Sequence, residues 1–204
     1  MMIKEYKINI SEFDDEERYK LIFDLLPKHR QEKLLKYKEK QDRLLSLASG
    51  YLFKKALTEF GLSEYEDRIV YNEYGKPYIE NNPMYFSISH SGDIAYLVFS
   101  DCEVGCDIEK IDDRKYMELA QRFFCSEEYQ YLKNSENSKN DFFKLWTIKE
   151  SYLKEKGTGL YKNLNSFCVY INKKKIDDSI IYKSEIEDGY AYAIVIRNNG
   201  GNRQ

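Results

Sequence analysis

The sequence predicts an α+β fold in two halves, and three observations predict it. The first is a set of short stretches that alternate apolar and polar residues, at residues 2–10, 68–80 and 84–100 and again after residue 165. The second is a set of longer stretches between them whose apolar residues recur at helical spacing. The third is a change of pattern near residues 100–103: before it helices lead into strands, and after it the same order starts again. A chain of 204 residues with 42% hydrophobic content can bury a sizeable core.

Taken in order, "MIKEYKINI" alternates and reads as a strand, and "DDEERYKLIFDLL" as a short helix. Pro27 opens a helical stretch in which Leu44, Leu47, Ala48, Tyr51, Leu52 and Ala56 share a face, with Gly61 suited to the C-terminal cap. "RIVYNEYGKPYIE" reads as strand, turn and strand. "MYFSISHSGDIAYLVFS" reads as two strands around a polar break at Ser89–Asp93, and "SDCE" as a hairpin turn into "VGCDIEKI". "RKYMELAQRFF" and "SEEYQYLKN" then read as helices, the second with Ser126 as N-cap. After a polar loop, "NSENSKN", comes a long helix, "DFFKLWTIKESYLKEKG", ended by Gly157 or Gly159. "SFCVYIN", "IIYKSEIE" and "YAYAIVIRN" read as strands. The tail, from about residue 198 to 204, is expected to be disordered.

Composition excludes several classes. Lys+Arg (32) and Asp+Glu (35) nearly cancel, and a net charge of −3 argues against a general nucleic-acid binder. No run approaches the roughly 20 apolar residues of a membrane span. The opening "MMIKEYKINISEFDDEE" has no signal-peptide core, so a cytoplasmic protein is expected. Cys102, Cys106, Cys125 and Cys168 form no C-x-x-C pair and are expected to be reduced, structural thiols.

Four stretches carry candidate chemistry. In "VGCDIEKI", Val104, Cys106 and Ile108 face one way, and Gly105, Asp107 and Glu109 the other. The two carboxylates stand about 6.5–7 Å apart along the strand, and Gly105 leaves space beside them. Taken alone, a D-x-E strand reads as a solvated face. Close carboxylates nonetheless repel unless a cation or proton relieves them, and a pair of carboxylates is how Mg²⁺ is commonly held. In "LWTIKESYLKEKGTGL", Glu150 and Lys154 are four apart on a helix, which alone reads as a surface salt bridge. Apolar residues nearly surround that helix, so it is buried or lies along a cleft. In "FSISHSG", Ser89 and His90 suit either a polar turn or phosphate binding. A Ser-His nucleophile is disfavoured because no G-x-S-x-G elbow is present. "YGKPY", Tyr74–Tyr78, reads alone as a plain turn.

Together and in this order, "YGKPY", "FSISHSG", "VGCDIEKI" and "LWTIKESYLKEKGTGL" resemble the 4′-phosphopantetheinyl transferases, specifically the two-lobed type that activates the surfactin synthetase. The resemblance runs from about residue 20 to at least residue 170. It implies a pseudo-twofold pair of similar lobes, each with helices on a small, mainly antiparallel sheet, residues 1–100 and 101–204, packed as one unit around a coenzyme A cleft.

The resemblance also implies roles. Asp107, Glu109 and Glu150 would hold Mg²⁺ (or Mn²⁺), and Lys154 would neutralise the coenzyme A diphosphate. Tyr74, Gly75, Lys76 and Pro77 would line the adenine, and Ser89 and His90 would hold the 3′-phosphate. Lys28 would help them, although Arg30 or Lys33 could fill that role. Leu44 stands where the relatives place a threonine, with Ser46 a possible substitute. The implied reaction moves 4′-phosphopantetheine from coenzyme A to a serine of an apo acyl or peptidyl carrier protein, with Glu150 and Lys154 as catalytic residues. Neither a nucleic-acid nor a membrane partner is implied, and a monomer is expected. Two rivals are a different Mg²⁺-dependent phosphotransferase, which lacks the G-x-x-x-x-G-K-[ST] loop, and a catalytically silent module that binds coenzyme A or a carrier protein.

Overall fold

The computed structural model describes residues 1–81, 84–159, 163–171 and 173–198. Strand β1 (Ile3–Asn9) leads into helix α1 (Glu16–Leu25), whose N-cap is Asp15. The stretch opened by Pro27 is two helices, α2 (Lys28–Leu34) and α3 (Lys40–Glu59). Strands β2 (Ile69–Tyr71) and β3 (Pro77–Ile79) pair as a small antiparallel ribbon. Strands β4 (Tyr85–Ser91) and β5 (Ile94–Ser100) complete a three-stranded antiparallel sheet, in the order β1-β5-β4.

Beyond residue 103 come β6 (Val104–Lys110), α4 (Tyr116–Phe123), α5 (Ser126–Asn134) and α6 (Ser138–Lys156). They are followed by β7 (Lys175–Ile176), β8 (Ser179–Glu187) and β9 (Tyr190–Arg197). The second sheet is antiparallel with the order β6-β9-β8-β7. Helix α6 ends where Gly157 takes a left-handed conformation at φ 68°, which only glycine adopts without strain.

The molecule is built in layers. Strand β5 turns Ala95, Leu97 and Phe99 toward α3 and its cluster, and Tyr96 and Val98 toward the second sheet. Strand β9 turns Ala191, Ala193 and Val195 toward the α6 cluster, and Tyr192, Ile194 and Ile196 back toward β5. The order is therefore α3, first sheet, a shared apolar layer, second sheet, α6. Because β5 and β9 are buried on both faces, they read as near-continuous apolar runs, "IAYLVF" and "YAYAIVI".

Several sequence expectations are corrected. The polar break shrinks to Gly92–Asp93, because Ser89 and His90 lie inside β4, paired with Tyr96 and Ala95. "SDCE" is not a hairpin turn: β6 pairs with β9, not β5. The N-cap of α5 is Cys125 rather than Ser126, and α6 begins at Ser138, inside the expected loop. "SFCVYIN" forms no strand over its described residues, since its backbone groups are taken by side chains of α5 and α6, as described below. Cys125 and Cys168 are joined in a disulfide, against the expectation of four reduced thiols; Cys102 and Cys106 are buried free thiols. The expected disordered tail falls outside the described residues from position 199 onward. Among the described residues no helix is long and apolar enough to cross a membrane.

Candidate active site

The site is assembled by one close approach. A Cβ built on Gly105 would lie 1.9 Å from the Ser151 carbonyl oxygen and 2.3 Å from the Glu155 nitrogen. The space beside Gly105 is therefore filled by the backbone of α6. Ser151 fixes the contact by donating its hydroxyl to the Ala193 carbonyl at 3.0 Å. Seated this way, α6 presents Glu150 and Lys154 to the face of β6 that carries Asp107 and Glu109.

Strand β4 reaches the same place from the first sheet. It runs beside β6 in the same direction, joined to it by alternate serines. The Cys106 N–H donates to Ser87 Oγ at 3.0 Å, Ser89 Oγ donates to Asp107 Oδ1 at 2.7 Å, and Ser91 Oγ donates to Glu109 Oε2 at 3.1 Å. Lys154 Nζ closes the group, donating to Asp107 Oδ1 at 2.6 Å and to Ser89 Oγ at 2.9 Å. Residues from β4 and α6 thus converge on one carboxylate of β6.

The electrostatics of the group are unbalanced. Asp107 is 4% exposed, yet its Oδ2 has no hydrogen-bond partner among the described residues. Burial, and then the charge of Asp107, hold the Glu109 carboxyl above the usual carboxylate range against the opposing pull of Arg114. Burial, then Asp107 and Glu109, do the same to Glu150 against Lys154. Burial alone would lower the Lys154 pKa, but Asp107, Cys106 and Glu150 outweigh it and keep the ammonium charged. Three mutually repelling carboxylates and one unused buried oxygen fit a hard divalent cation.

A cavity of about 240 Å³ adjoins the group. Tyr74, Gly75, Lys76, Pro77 and Lys154 line it, together with Phe86, Ile88, Leu153, Gly157 and Gly159. The 72–76 turn is docked on the end of α6: Asn72 Nδ2 donates to the Gly157 carbonyl at 2.8 Å, and Lys76 Nζ to the Glu155 carbonyl at 3.0 Å. Burial dominates the Lys76 ammonium and lowers its pKa.

Comparison with known proteins settles the family. A family profile for the 4′-phosphopantetheinyl transferase superfamily matches residues 103–195, and one for the 4′-phosphopantetheinyl transferase N-terminal region matches residues 14–102. The transferase Gsp of Aneurinibacillus migulanus is 32% identical over 201 residues, covering 93% of this chain and 84% of that protein. Sfp of Bacillus subtilis is 30% identical over 205 residues, covering 94% and 91%. AcpT of Salmonella typhi is 36% identical over 116 residues, covering 54% and 57%. The chain belongs to the 4′-phosphopantetheinyl transferase superfamily. It is a transferase of that class, with the α+β fold the sequence predicts.

Among the residues singled out in this phosphopantetheinyl transferase, Ser89, Asp107, Glu109, Glu150 and Lys154 form one interacting group, and Tyr74–Pro77 line the cavity beside it. His90 points from the other face of β4. Partial desolvation and then Lys154 lower its pKa, while Asp42 and Asp107 oppose them. Lys28 is exposed at the start of α2 and Lys33 is exposed near its end. Arg30 packs near Gly50 of α3 and senses Tyr71, Tyr37 and Glu66. Leu44 is a core residue, so a hydroxyl is not replaced there by another surface group; Ser46, two residues on, is half-buried.

Sequence reasoning missed two supports. Ser87 and Ser91 were visible only as alternate serines in "FSISHSG". Lys149, beside Glu150, is fully buried and pairs with Glu128 at 2.7 Å. The same ammonium donates to the Phe167 carbonyl, and Glu128 accepts from the N–H groups of Val169 and Cys125. This network occupies the backbone of 167–169 and keeps that segment out of a sheet. A buried, fully hydrogen-bonded pair of this kind fixes the rotation of α6, and so the direction of Glu150.

Proposed function

We propose that this transferase moves the 4′-phosphopantetheine group from coenzyme A to a serine of an apo acyl or peptidyl carrier protein, releasing adenosine 3′,5′-bisphosphate. The observation that carries the reading is the buried, unpartnered Oδ2 of Asp107, set among Glu109, Glu150 and Lys154 beside a cavity lined by Tyr74–Pro77.

Asp107, Glu109 and Glu150 would hold Mg²⁺ (or Mn²⁺), which when bound supplies positive charge to the phosphate oxygens. Lys154 leaves Asp107 to meet the diphosphate and stabilises charge developing on the leaving oxygen. His90, on the other face of β4, holds the 3′-phosphate and gains a proton from that contact, while the hydroxyl of Ser89 serves the Asp107 side of the strand. Lys28, Arg30 or Lys33 adds charge there; Arg30 is the one half-buried near the ribbon that carries Tyr74. Tyr74, Gly75, Lys76 and Pro77 enclose the adenine. The carrier serine oxygen attacks the β-phosphorus and forms the new P–O bond. The bond to the bridging oxygen breaks, and the serine proton passes to Glu150, the carboxylate placed to act as general base. Two lobes meeting at residues 100–103, acting as a monomer, is the matching architecture. The two family profiles abut at residues 102 and 103, which supports that boundary.

The test is incubation with coenzyme A, Mg²⁺ and a panel of apo carrier proteins, read by intact mass. The expected result is a gain of one phosphopantetheine on at least one carrier. No gain on any carrier, with coenzyme A still bound, would reduce the chain to a binding module.

A further inference from the structure

Among the described residues, Cys125, Glu127 and Cys168 bring their ligand atoms within 4.8 Å of one another, well apart in sequence from the Asp107 group. We propose that in the reduced protein these three residues form a binding site for a thiophilic divalent cation of the Zn²⁺ type, and that the disulfide is the closed form of the same site.

The geometry survives reduction because the disulfide is not what holds its two ends together. The Cys125 N–H donates to Glu128 Oε2 at 3.0 Å, and the Val169 N–H, next to Cys168, donates to Glu128 Oε1 at 2.6 Å. Lys149 ties the Phe167 carbonyl to the same carboxylate at 2.7 Å. Both cysteines are therefore anchored through neighbouring backbone to one buried ion pair. Breaking the S–S bond leaves two thiols still facing each other, with a Cα–Cα distance of 5.7 Å.

The chemistry of the donors selects the ion. Two thiolates and a carboxylate favour Zn²⁺ over Mg²⁺, and three protein ligands leave a fourth tetrahedral position for water. Cys125 caps the nine-residue helix α5, which fixes the backbone that carries its sulfur. Glu127 is exposed and already lies 3.3 Å from Cys168 Sγ. The cluster opens on a surface cleft beside Ser126, Asn165 and Ser166, so an ion has a way in.

The balance closes in both directions. Ion binding releases the two thiol protons. Oxidation by a low-molecular-weight disulfide forms the Cys125–Cys168 bond in two exchange steps, gives up two small thiols, and expels the ion into water.

Co²⁺ titration of the reduced full-length chain tests this, read by the thiolate-to-cobalt charge-transfer band and its loss on adding Zn²⁺. One equivalent is expected to bind. The band is expected to persist in C102S/C106S and to vanish in C125S/C168S. It is also expected to vanish in wild type oxidised with a small-molecule disulfide, and to return with reductant. Glu127→Gln is expected to weaken binding at least about tenfold, the low end for losing even an outer-shell partner of a metal. Absence of the band in reduced wild type, or its survival in C125S/C168S, overturns the proposal. If C125S/C168S fails to fold, the exposed Glu127→Gln variant decides, and unchanged affinity there removes the site as drawn.

Discussion

Replacing Gly105 with alanine should disable this enzyme without touching any charged residue. The added Cβ would sit 1.9 Å from the Ser151 oxygen, where real Cβ atoms come no nearer than 3.0 Å. The backbone of α6 must then retreat from β6 by about 1 Å, the difference between those distances. The obstacle is main chain, not a flexible side chain, so no rotamer change relieves it. Overpacking of this kind costs about 1–3 kcal/mol. Here the upper end is expected, a fall of roughly 6–12 °C in Tm for a chain of this length. The same retreat carries Glu150 and Lys154 away from Asp107, and a misplacement of about 1 Å is enough to lower turnover roughly a hundredfold. The assay is carrier modification followed by intact mass, with a thermal melt on the same sample. A Gly105→Ala protein with wild-type turnover and an unchanged melt would refute the claim that this contact positions the site.

Further outcomes follow from the same geometry. Glu150→Gln keeps the shape but removes a carboxylate and the candidate base, so turnover should fall at least roughly a hundredfold, partly recoverable with added Mg²⁺; Lys154→Ala should weaken coenzyme A binding in a way that Mg²⁺ does not restore. Near-normal kinetics in both would leave Lys154 as a plain ion-pair partner of Asp107 and the proposed site without its third carboxylate. Lys149→Met leaves Glu128 buried and uncompensated, and chemical denaturation should show a loss of about 3–5 kcal/mol. Burial pushes the Cys106 thiol from 9.0 up to about 12, against Lys154 and hydrogen bonding with Ser87 that pull it down. A folded pKa above the unfolded one means that this stability contribution is complete below pH 9.0 and is lost as pH rises toward 12. A Cys106→Ser protein should lack that part of the alkaline loss in melts run across the window, and native wild type should resist alkylation at Cys106 near pH 8.

Local pattern made much of this legible. The two faces of β6 could be read from alternation, because Val104, Cys106 and Ile108 do join one apolar cluster while Gly105, Asp107 and Glu109 face α6. Glu150 and Lys154 could be placed on one helix face by spacing alone. What could not be read depended on contacts between distant segments. Lys149 and Glu128 lie 21 residues apart on different helices, and each looks like an ordinary surface charge in sequence. Residues 166–171 show strand-like composition, but their backbone is claimed by that pair before any strand can claim it. Cys125 and Cys168 are 43 residues apart, with no spacing rule to couple them. The space that Gly105 leaves beside the carboxylates is legible in sequence, but not that the backbone of α6 fills it.

The apolar layer between the sheets has a consequence for how substrates are admitted. Tyr96, Val98, Val104, Cys106, Ile108, Tyr192, Ile194 and Ile196 are all at most 2% exposed. Exposing such side chains costs about 1.5–3 kcal/mol each for the aliphatic ones, so parting the sheets approaches the roughly 5–15 kcal/mol that holds a whole domain folded. The halves cannot work as jaws. A bulky cofactor and a protein partner must instead be accommodated by what can move cheaply: the ammonium of Lys154 swinging off Asp107, and serine hydroxyls turning about their Cα–Cβ bonds. A partner then meets a fixed outline, not a closure that reshapes itself to each one.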